Sequence, residues 1–90
     1  MRRAAKRDAN ETDIVAALER IGCVVRRVNQ DGLPDLLVAR GGTCLPIEVK
    51  DKGGKLTASQ AALWRLTRFP VVHSVDEAVE LFRFRLRRGR

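Results

Sequence analysis

Apolar residues recur at helical spacing in the first and middle parts of the chain, and each stretch opens with a helix-capping residue. The first predicted helix begins near Asn10, a favourable N-cap, and ends at about Ile21. The second begins at Thr57, which forms a capping box with Gln60, and runs to about Thr67. The apolar positions are Ile14, Val15, Leu18 and Ile21 in the first helix and Leu63, Trp64 and Leu66 in the second.

The last part of the chain adds one short strand and a third helix. Pro70 enters the apolar run 71–73, whose branched residues predict a strand. Ser74 and Glu77 then form a second capping box, which predicts a helix start. The apolar stripe of this third helix consists of Val75, Ala78, Val79 and Phe82.

Three further apolar runs in the first half are too short for helices and predict strands. The first begins at Cys23 and extends toward Val28. The other two, 36–39 and 44–49, flank a Gly-Gly pair, which predicts a two-residue hairpin. The element order is therefore α-β-β-β-α-β-α. We expect an α/β domain with a mixed β-sheet flanked by helices.

The predicted hairpin places two carboxylates opposite each other. With Gly41 and Gly42 as the turn, Asp35 lies directly across from Glu48, and strand alternation puts Lys50 on the same face. Two opposed carboxylates about 5 Å apart repel each other unless a cation lies between them. Such oxygen ligands suit Mg²⁺ or Mn²⁺, and a neighbouring lysine suits phosphodiester hydrolysis. The alternative is an ordinary half-buried strand whose polar face meets water.

The composition is that of one small globular domain. At 90 residues and 44% apolar content the chain suffices for a single core. No run approaches the roughly 18 apolar residues of a membrane span, and no apolar block of a secretory signal is present, so the expected location is the cytoplasm. Cys23 and Cys44 lack the neighbouring ligands of a zinc site, and their apolar surroundings predict buried free thiols.

The positive charge lies at the two ends of the chain. The net charge is +7, yet residues 8–82 hold all eleven acidic residues against nine Lys and Arg. The other nine cations precede Asp8 or follow Phe82. Basic ends on a slightly acidic body are typical of a protein that holds a polyanion by its phosphates. Solubility, or an arm without function, is the alternative explanation.

Further candidate residues flank the three central ones. Glu11 lies at the start of the first helix on its buried side, where it either approaches the metal through water or interacts with the helix dipole. Gln60, beside its capping role, lies at a helix N-terminus that suits anion contacts. The candidate DNA-backbone contacts are Lys52 and Lys55 in the loop after Lys50, and Arg3, Arg7, Arg85 and Arg87 in the ends.

Four short segments in order resemble a known nuclease family. They are similar to motifs of the VRR-NUC nucleases, most of all to the small stand-alone forms from phages and bacteria. The segments are Gly32-Leu33-Pro34-Asp35, Ile47-Glu48-Val49-Lys50, Gly54-Lys55-Leu56-Thr57 and Ser59-Gln60. The resemblance covers residues 8–83 and leaves 1–7 and 84–90 as basic tails. It implies a PD-(D/E)xK restriction-endonuclease-like fold and Mg²⁺- or Mn²⁺-dependent DNA cleavage, in a bacterial cell or a phage-infected host.

The resemblance also implies a role for each motif residue. It makes Asp35, Glu48 and the Val49 carbonyl metal ligands, Lys50 the catalytic lysine, Gln60 its support, and Glu11 the acidic residue of the N-terminal helix. Stand-alone members resemble resolvases of four-way (Holliday) junctions, so we expect a homodimer acting on branched DNA. Leu36 is a departure, because many members have a basic residue directly after the motif aspartate.

Three other functions fit parts of the same sequence. A catalytically idle DNA-binding module would use the basic ends and keep the carboxylates as structural groups. A sequence-specific nuclease on linear duplex would use the same chemistry, although so short a chain shows no recognition element. An interaction protein would bind an acidic partner through its basic ends.

Overall fold

A computed structural model describes the backbone of residues 10–88 and the side chains of residues 10–83. Its elements are α1 (Glu11–Arg20), β1 (Val24–Arg27), β2 (Leu36–Arg40), β3 (Thr43–Val49), α2 (Ala58–Thr67), β4 (Val71–Val72) and α3 (Val75–Arg88). The predicted order is confirmed, and the element bounds differ from the predicted ones by one or two residues at most ends. Helix α3 is the exception, because it includes residues 84–88 of the segment predicted to be a basic tail.

The four strands form one mixed sheet in the order β1-β2-β3-β4. The first three are antiparallel neighbours, whereas β4 pairs in parallel with β3 after the α2 crossover. The predicted hairpin register is confirmed, with Leu36 opposite Ile47 and Arg40 opposite Thr43. Gly41 and Gly42 both have positive φ, at 54° and 86°, as a two-residue turn between twisted strands requires.

Helices α1 and α3 cover one face of the sheet and form the core with it. Ile14 and Leu18 of α1 and Phe82 of α3 lie on the inward side of Leu36 and Ile47, and all are buried. In the α3 stripe, Val75 and Val79 are only half-buried, and Val75 packs against the core together with Leu81. None of the helices in the described part of the chain is long and apolar enough to cross a membrane.

Two of the three predicted helix caps differ from expectation. The Asn10 side chain does not cap α1, because its backbone is already helical and its amide donates to the His73 carbonyl oxygen at 2.9 Å. At α3 the Ser74 hydroxyl accepts from the Glu77 N–H at 3.1 Å, as predicted. The Glu77 carboxylate, however, accepts from the His73 N–H at 2.7 Å, so the reciprocal bond is made one residue earlier. These contacts join the starts of α1 and α3 to the end of β4.

Two residues that were expected to be buried lie outside the core, on the side of the sheet that α1 and α3 do not cover. Cys23 is buried as predicted, but Cys44 is exposed, because strand alternation turns it away from α1 and α3. Trp64, an apolar position of the second predicted helix whose neighbours favour core packing, is half-buried outside the core. Its indole N–H donates to the Phe69 carbonyl oxygen at 3.1 Å, and the Arg68 guanidinium lies 4.3 Å from its ring centroid.

Candidate metal and catalytic site

The β2–β3 hairpin brings Asp35 and Glu48 together at its open end. The Asp35 N–H donates to Glu48 Oε1 at 3.1 Å. In return, the Val49 N–H donates to Asp35 Oδ2 at 3.1 Å. Each carboxylate is therefore held by the backbone of the opposite strand, and the two acids face each other across the hairpin as the register predicts.

Lys50 joins this pair on the same face of β3. Its Nζ lies 3.2 Å from Glu48 Oε2, and the Glu48 side chain is 1% exposed. The Lys50 N–H donates to the Val72 carbonyl oxygen at 3.0 Å, so pairing with β4 fixes the backbone that carries the lysine. Short strand β4 therefore positions the ammonium group beside the two carboxylates.

Helix α2 supplies the fourth polar side chain of the cluster. Gln60 Nε2 donates to Glu48 Oε2 at 3.1 Å, and both residues are buried. The other end of the amide accepts from the Thr57 N–H at 3.0 Å, while the Thr57 hydroxyl accepts from the Gln60 N–H at 3.2 Å. The capping box is thus confirmed, and it leaves Gln60 one orientation in which its NH₂ group reaches Glu48.

Replacing Thr57 by alanine is expected to lower the free energy of unfolding by about 1 kcal/mol, because one end of the capping box is lost. For a domain of this size the melting temperature then falls by about 4–8 °C. Thr67→Ala makes the same chemical change at the exposed C-terminal end of the same helix and serves as the control. Thermal unfolding followed by circular dichroism compares the two; equal melting temperatures would contradict the capping role.

The electrostatics of the cluster are dominated by Glu48. Burial, reinforced by the nearby negative charge of Asp35, raises the pKa of Glu48 to about 7. Hydrogen bonds from Lys50 and Gln60 act in the opposite direction but do not offset the rise. The ionised form of Glu48 is therefore disfavoured near neutral pH, because the positive groups around it do not offset its burial and the charge of Asp35.

This donor set fits a hard divalent cation. Asp35 and Glu48 offer carboxylate oxygens, and the Val49 peptide lies against the Asp35 carboxylate. Oxygen-only donors of this kind suit Mg²⁺ or Mn²⁺, which commonly take one or two carboxylates together with water and substrate phosphates. Burial and, after it, repulsion from Asp35 raise the pKa of Glu48, and a cation between the two acids would relieve the repulsion.

Glu11 lies buried at the start of α1, and Arg27 is one of its contacts. It is 2% exposed, and its Oε2 accepts from Nε of Arg27 at 2.9 Å. Among residues 10–83, no group of three or more His, Cys, Asp or Glu side chains is arranged to hold a metal ion. The structure pairs Glu11 with Arg27, and the predicted approach of Glu11 to a metal through water stays a prediction.

Sequence reasoning missed Arg27, although a signal for it was present. Arg27 pairs with Leu36 across the β1–β2 ladder. It lies two residues after Val25, so the two share the core side of the sheet. The buried member of the pair is Glu11 of α1, and a buried carboxylate needs a partner, which the 43% exposed Arg27 side chain supplies. Alternation along β1 indicated the face on which Arg27 lies, and the packing of α1 on that face determined its partner.

The turn before Asp35 lies against the start of α2. Gly32 has φ +85°, and a Cβ placed there would lie 3.4 Å from the Ser59 Cβ. This contact keeps the turn beside the helix that carries Gln60. The glycine of the Gly-x-Pro-Asp motif is therefore required by the backbone conformation, which strains other residues.

Gly32→Ala is expected to destabilise the fold by about 1–2 kcal/mol and to weaken Mn²⁺ binding, since the strained turn carries Asp35. Gly42→Ala is the matched control, because Gly42 has φ +86° and no atom within 4 Å of the added Cβ. Denaturant unfolding measures the stability of both variants, and calorimetric titration measures Mn²⁺ affinity. Both variants are expected to lose similar stability, and only the Gly32 variant is expected to bind Mn²⁺ more weakly. Unchanged Mn²⁺ affinity in both variants would contradict the idea that the turn holds Asp35 in place for the metal.

The predicted DNA-contact residues fall into three groups. Lys52 and Lys55 lie exposed in the loop that follows Lys50. Arg3 and Arg7 lie outside the described residues. Arg85 and Arg87 belong to the last turns of α3, of which the backbone alone is described.

Comparison with known proteins gives no relative from which a role could be transferred. No family model matches the chain, and no curated protein or solved structure matches it either. The class that the coordinates define is a small α/β domain with a four-stranded mixed sheet and three helices among its described residues. The geometry of the cluster is therefore the basis for a functional proposal.

Proposed function

We propose that this chain is a metal-dependent endonuclease that hydrolyses phosphodiester bonds in DNA, with a fold of the PD-(D/E)xK type. The observation that carries the proposal is the meeting of Asp35, Glu48 and Lys50 at the open end of one hairpin. The resemblance of the surrounding motifs to the VRR-NUC nucleases supports it, as does the concentration of positive charge at the chain ends.

Each residue of the cluster has a part in the proposed reaction. Asp35 and Glu48 would hold Mg²⁺ or Mn²⁺, and a metal ion there would supply activation of a water molecule and stabilisation of charge on the scissile phosphate. Lys50 lies close enough to the carboxylates to hold the attacking water by hydrogen bonding or to neutralise the negative charge that develops on the phosphate. Gln60 keeps the Glu48 carboxylate oriented through its 3.1 Å hydrogen bond. The phosphorus atom would gain one bond to the water oxygen as its bond to a DNA oxygen breaks, while the water gives up a proton to solvent and the leaving DNA oxygen takes one up from solvent.

Branched DNA, such as a four-way junction, is the proposed substrate class, and a homodimer the proposed active form. Lys52 and Lys55 follow the cluster in an exposed loop, where cations can contact the DNA backbone. Paired sites of a two-fold dimer suit two coordinated incisions in a symmetric junction. The cytoplasmic location expected from the sequence stays a prediction.

A catalytically idle DNA-binding module is the second candidate. Within the part of the chain whose side chains are described, Glu48 is already contacted by Lys50 and Gln60, and no three-residue group is arranged for a metal. A carboxylate with those contacts can be a purely structural group. Turnover in the presence of a divalent metal separates this candidate from the nuclease.

The test is a cleavage assay on equal amounts of four-way junction, flap and linear duplex, each with Mg²⁺, Mn²⁺ or EDTA. Lys50→Ala is expected to lower the rate by about a hundredfold to ten-thousandfold, the range for loss of a positioned catalytic group. Arg20→Ala, which removes an exposed cation of α1, is the control for changed net charge. The wild type and the Arg20→Ala control are expected to cut the junction when metal is present, and Lys50→Ala is expected to lose this activity. A folded protein that binds DNA and cuts none of the three would favour the idle module.

A further inference from the structure

An apolar groove lies directly beside the Asp35–Glu48 cluster. It has a volume of about 310 Å³ and runs between α2 and the side of the sheet that α1 and α3 do not cover. The residues that line it include Val28, Leu33, Leu37, Pro46, Leu63 and Phe69. Leu37 is 43% exposed and Leu33 is 39% exposed, so apolar walls of the groove face solvent. A groove of this size is at the lower end of the range for small-ligand sites.

Three parts of the groove adjoin the cluster. Pro34 lines the groove and directly precedes Asp35 in the chain. Val28 also lines it, and its N–H donates to the Asp35 carbonyl oxygen at 2.7 Å. Leu63 follows Gln60 by three residues, so both side chains lie on the same side of α2. The groove is therefore continuous with the cluster that would hold the scissile phosphate.

The described residues that line the groove carry no charge, but cations lie on two sides of it. Leu37 and Pro46 form its wall on the sheet, and exposed Arg26 is the residue opposite Leu37 on β1. Lys50 lies four residues beyond Pro46 and therefore on the same face. An anionic backbone can thus contact cations on both sides while an uncharged group enters the groove between them.

We propose that this groove takes up one unpaired base of the DNA substrate while a phosphate of the same strand lies at the cluster. The proposal rests on the proposed nuclease function. Leu37 lies two residues from Asp35 on the same face, about 7 Å along the strand. This distance is comparable to the separation between the phosphate group and the base of one nucleotide. The faces of the base pack against leucine, proline and phenylalanine side chains, and its polar edge stays in water at the open side.

A nucleotide matches both parts of this surface. Its phosphate is anionic, and its base has two broad faces of low polarity. An apolar peptide segment would fill the groove but would take the Arg26 side chain out of water without a partner, which is unfavourable. Continuous duplex would contact the cations but leave the groove empty, because its bases are stacked inside the helix.

A groove with this lining distinguishes the shape of DNA and not its sequence. The polar side-chain group among its described lining residues is the Thr67 hydroxyl, which already donates to the Leu63 carbonyl oxygen at 3.1 Å. The lining therefore offers little to the hydrogen-bonding edge of a base. A paired base must also be unstacked before it can enter, at a cost that is smallest for a base that is already single-stranded. The groove thus favours branched or tailed DNA over linear duplex.

The first experiment compares the affinity of the wild-type protein for two DNAs in EDTA, so that metal-dependent cleavage does not interfere. Each DNA is a duplex with a short unpaired tail, which carries thymines in one and abasic sugars in the other. Both have the same number of phosphates, so the electrostatic part of the binding free energy is the same. The thymine tail is expected to bind about tenfold more tightly, the order of affinity that one packed base contributes. Equal dissociation constants would overturn the proposal.

A substitution in the groove tests where the base binds. Leu37→Gln makes one apolar wall polar and is expected to reduce the preference for the thymine tail to less than about threefold. Leu66→Gln makes the same change at an 84% exposed leucine of α2 that is not among the lining residues, so the preference should be unchanged. Circular dichroism checks that both variants fold. A preference retained in Leu37→Gln, or lost equally in both variants, would overturn the assignment of the groove.

Arg26→Ala tests the cation beside the groove. Loss of one phosphate contact is expected to weaken binding of both tails alike and to reduce the slope of log affinity against log salt concentration by about one. Arg20→Ala removes an exposed arginine of α1, on the other side of the sheet, and serves as the control. An unchanged slope in Arg26→Ala would overturn the proposed course of the backbone past the groove.

Cleavage of the same two DNAs with Mn²⁺ separates this proposal from the nuclease. A protein that prefers the thymine tail and cuts neither DNA would overturn the nuclease and leave a base-binding groove. A protein that cuts both DNAs and binds them equally would overturn the base-binding groove and leave the nuclease. A protein that binds neither DNA would overturn both.

Discussion

Asp35→Asn is expected to reduce metal-dependent cleavage by about a thousandfold while making the metal-free protein more stable at pH 8. Loss of the carboxylate removes several kcal/mol of stabilisation that the metal provides in the transition state. The asparagine oxygen still accepts the hydrogen bond of the Val49 N–H, so the hairpin keeps its geometry. The like charge beside Glu48 disappears, which stabilises the fold by about 1 kcal/mol above the pKa of that group.

The opposite signs of these two effects make the experiment decisive. Cleavage rates are measured with Mn²⁺, and stability is measured by urea unfolding in EDTA at pH 8. Asp31→Asn is the matched control, because Asp31 is an exposed acid in the same turn. It should change neither quantity appreciably. A destabilised Asp35→Asn protein that retains its activity would show that the carboxylate is structural.

The metal-free protein is expected to lose stability as the pH rises from about 5 to 8. The folded-state pKa of Glu48, about 7, lies above its ordinary value of 4.5. Folding therefore favours the protonated carboxyl group, whose contribution is fully present below pH 4.5 and is lost as the pH passes through 7. The difference corresponds to roughly 3 kcal/mol at most. Glu77 has the opposite shift, because hydrogen bonds from His73 lower its pKa. Its contribution to stability therefore changes only at pH values below the range of about 5 to 8.

Divalent metal should reverse this trend, because the metal binds the ionised carboxylate. The gain in melting temperature with Mn²⁺ is expected to be larger at pH 8 than at pH 5.5. Thermal unfolding at both pH values, with Mn²⁺ and with EDTA, gives the four melting temperatures that are compared. In Asp35→Asn the metal-free transition should move to lower pH, since one cause of the raised Glu48 pKa is removed. A pH-independent stability in EDTA would contradict the assigned electrostatics.

The parts of the site that the sequence predicted are those that local rules determine. The Gly-Gly turn and strand alternation were enough to place Asp35 across from Glu48, because a two-residue turn leaves the hairpin a single register. The capping box of α2 was equally local, since Thr57 and Gln60 are neighbours on one helical turn. Neither inference needed knowledge of the tertiary fold.

Predictions failed where the outcome depended on which surface another element covers. Cys44 lies on the same face of β3 as Glu48, whereas α1 and α3 cover the opposite face, which carries Ile47 and Val49. Trp64 lies on the apolar side of an amphipathic helix, yet Gln60 is the only residue of α2 that is fully buried. The same open side left Leu66 exposed. A pattern identifies an apolar face without revealing whether the chain itself covers it.

The Asn10 cap failed for a related reason. A cap would use its side-chain oxygen as an acceptor in the first turn of α1, whereas its NH₂ group donates to the His73 carbonyl oxygen and that orientation leaves the side-chain oxygen without a hydrogen-bond partner among the described residues. The distant hydrogen bond is the one that forms, 63 residues away in the chain. Competition between local and long-range partners is settled by tertiary geometry, which the spacing of residues within one helix does not contain.

The 3.2 Å ion pair between Lys50 and Glu48 gives the resting cluster an internal counterion. The ammonium group of Lys50 and an incoming divalent cation would both interact with the Glu48 carboxylate, so the two would compete. Metal affinity in the free protein is therefore expected to be lower than the pair of acids alone would give. Once a phosphate is present, the displaced lysine gains a new anion to contact, and metal and DNA should bind more tightly together than either does alone.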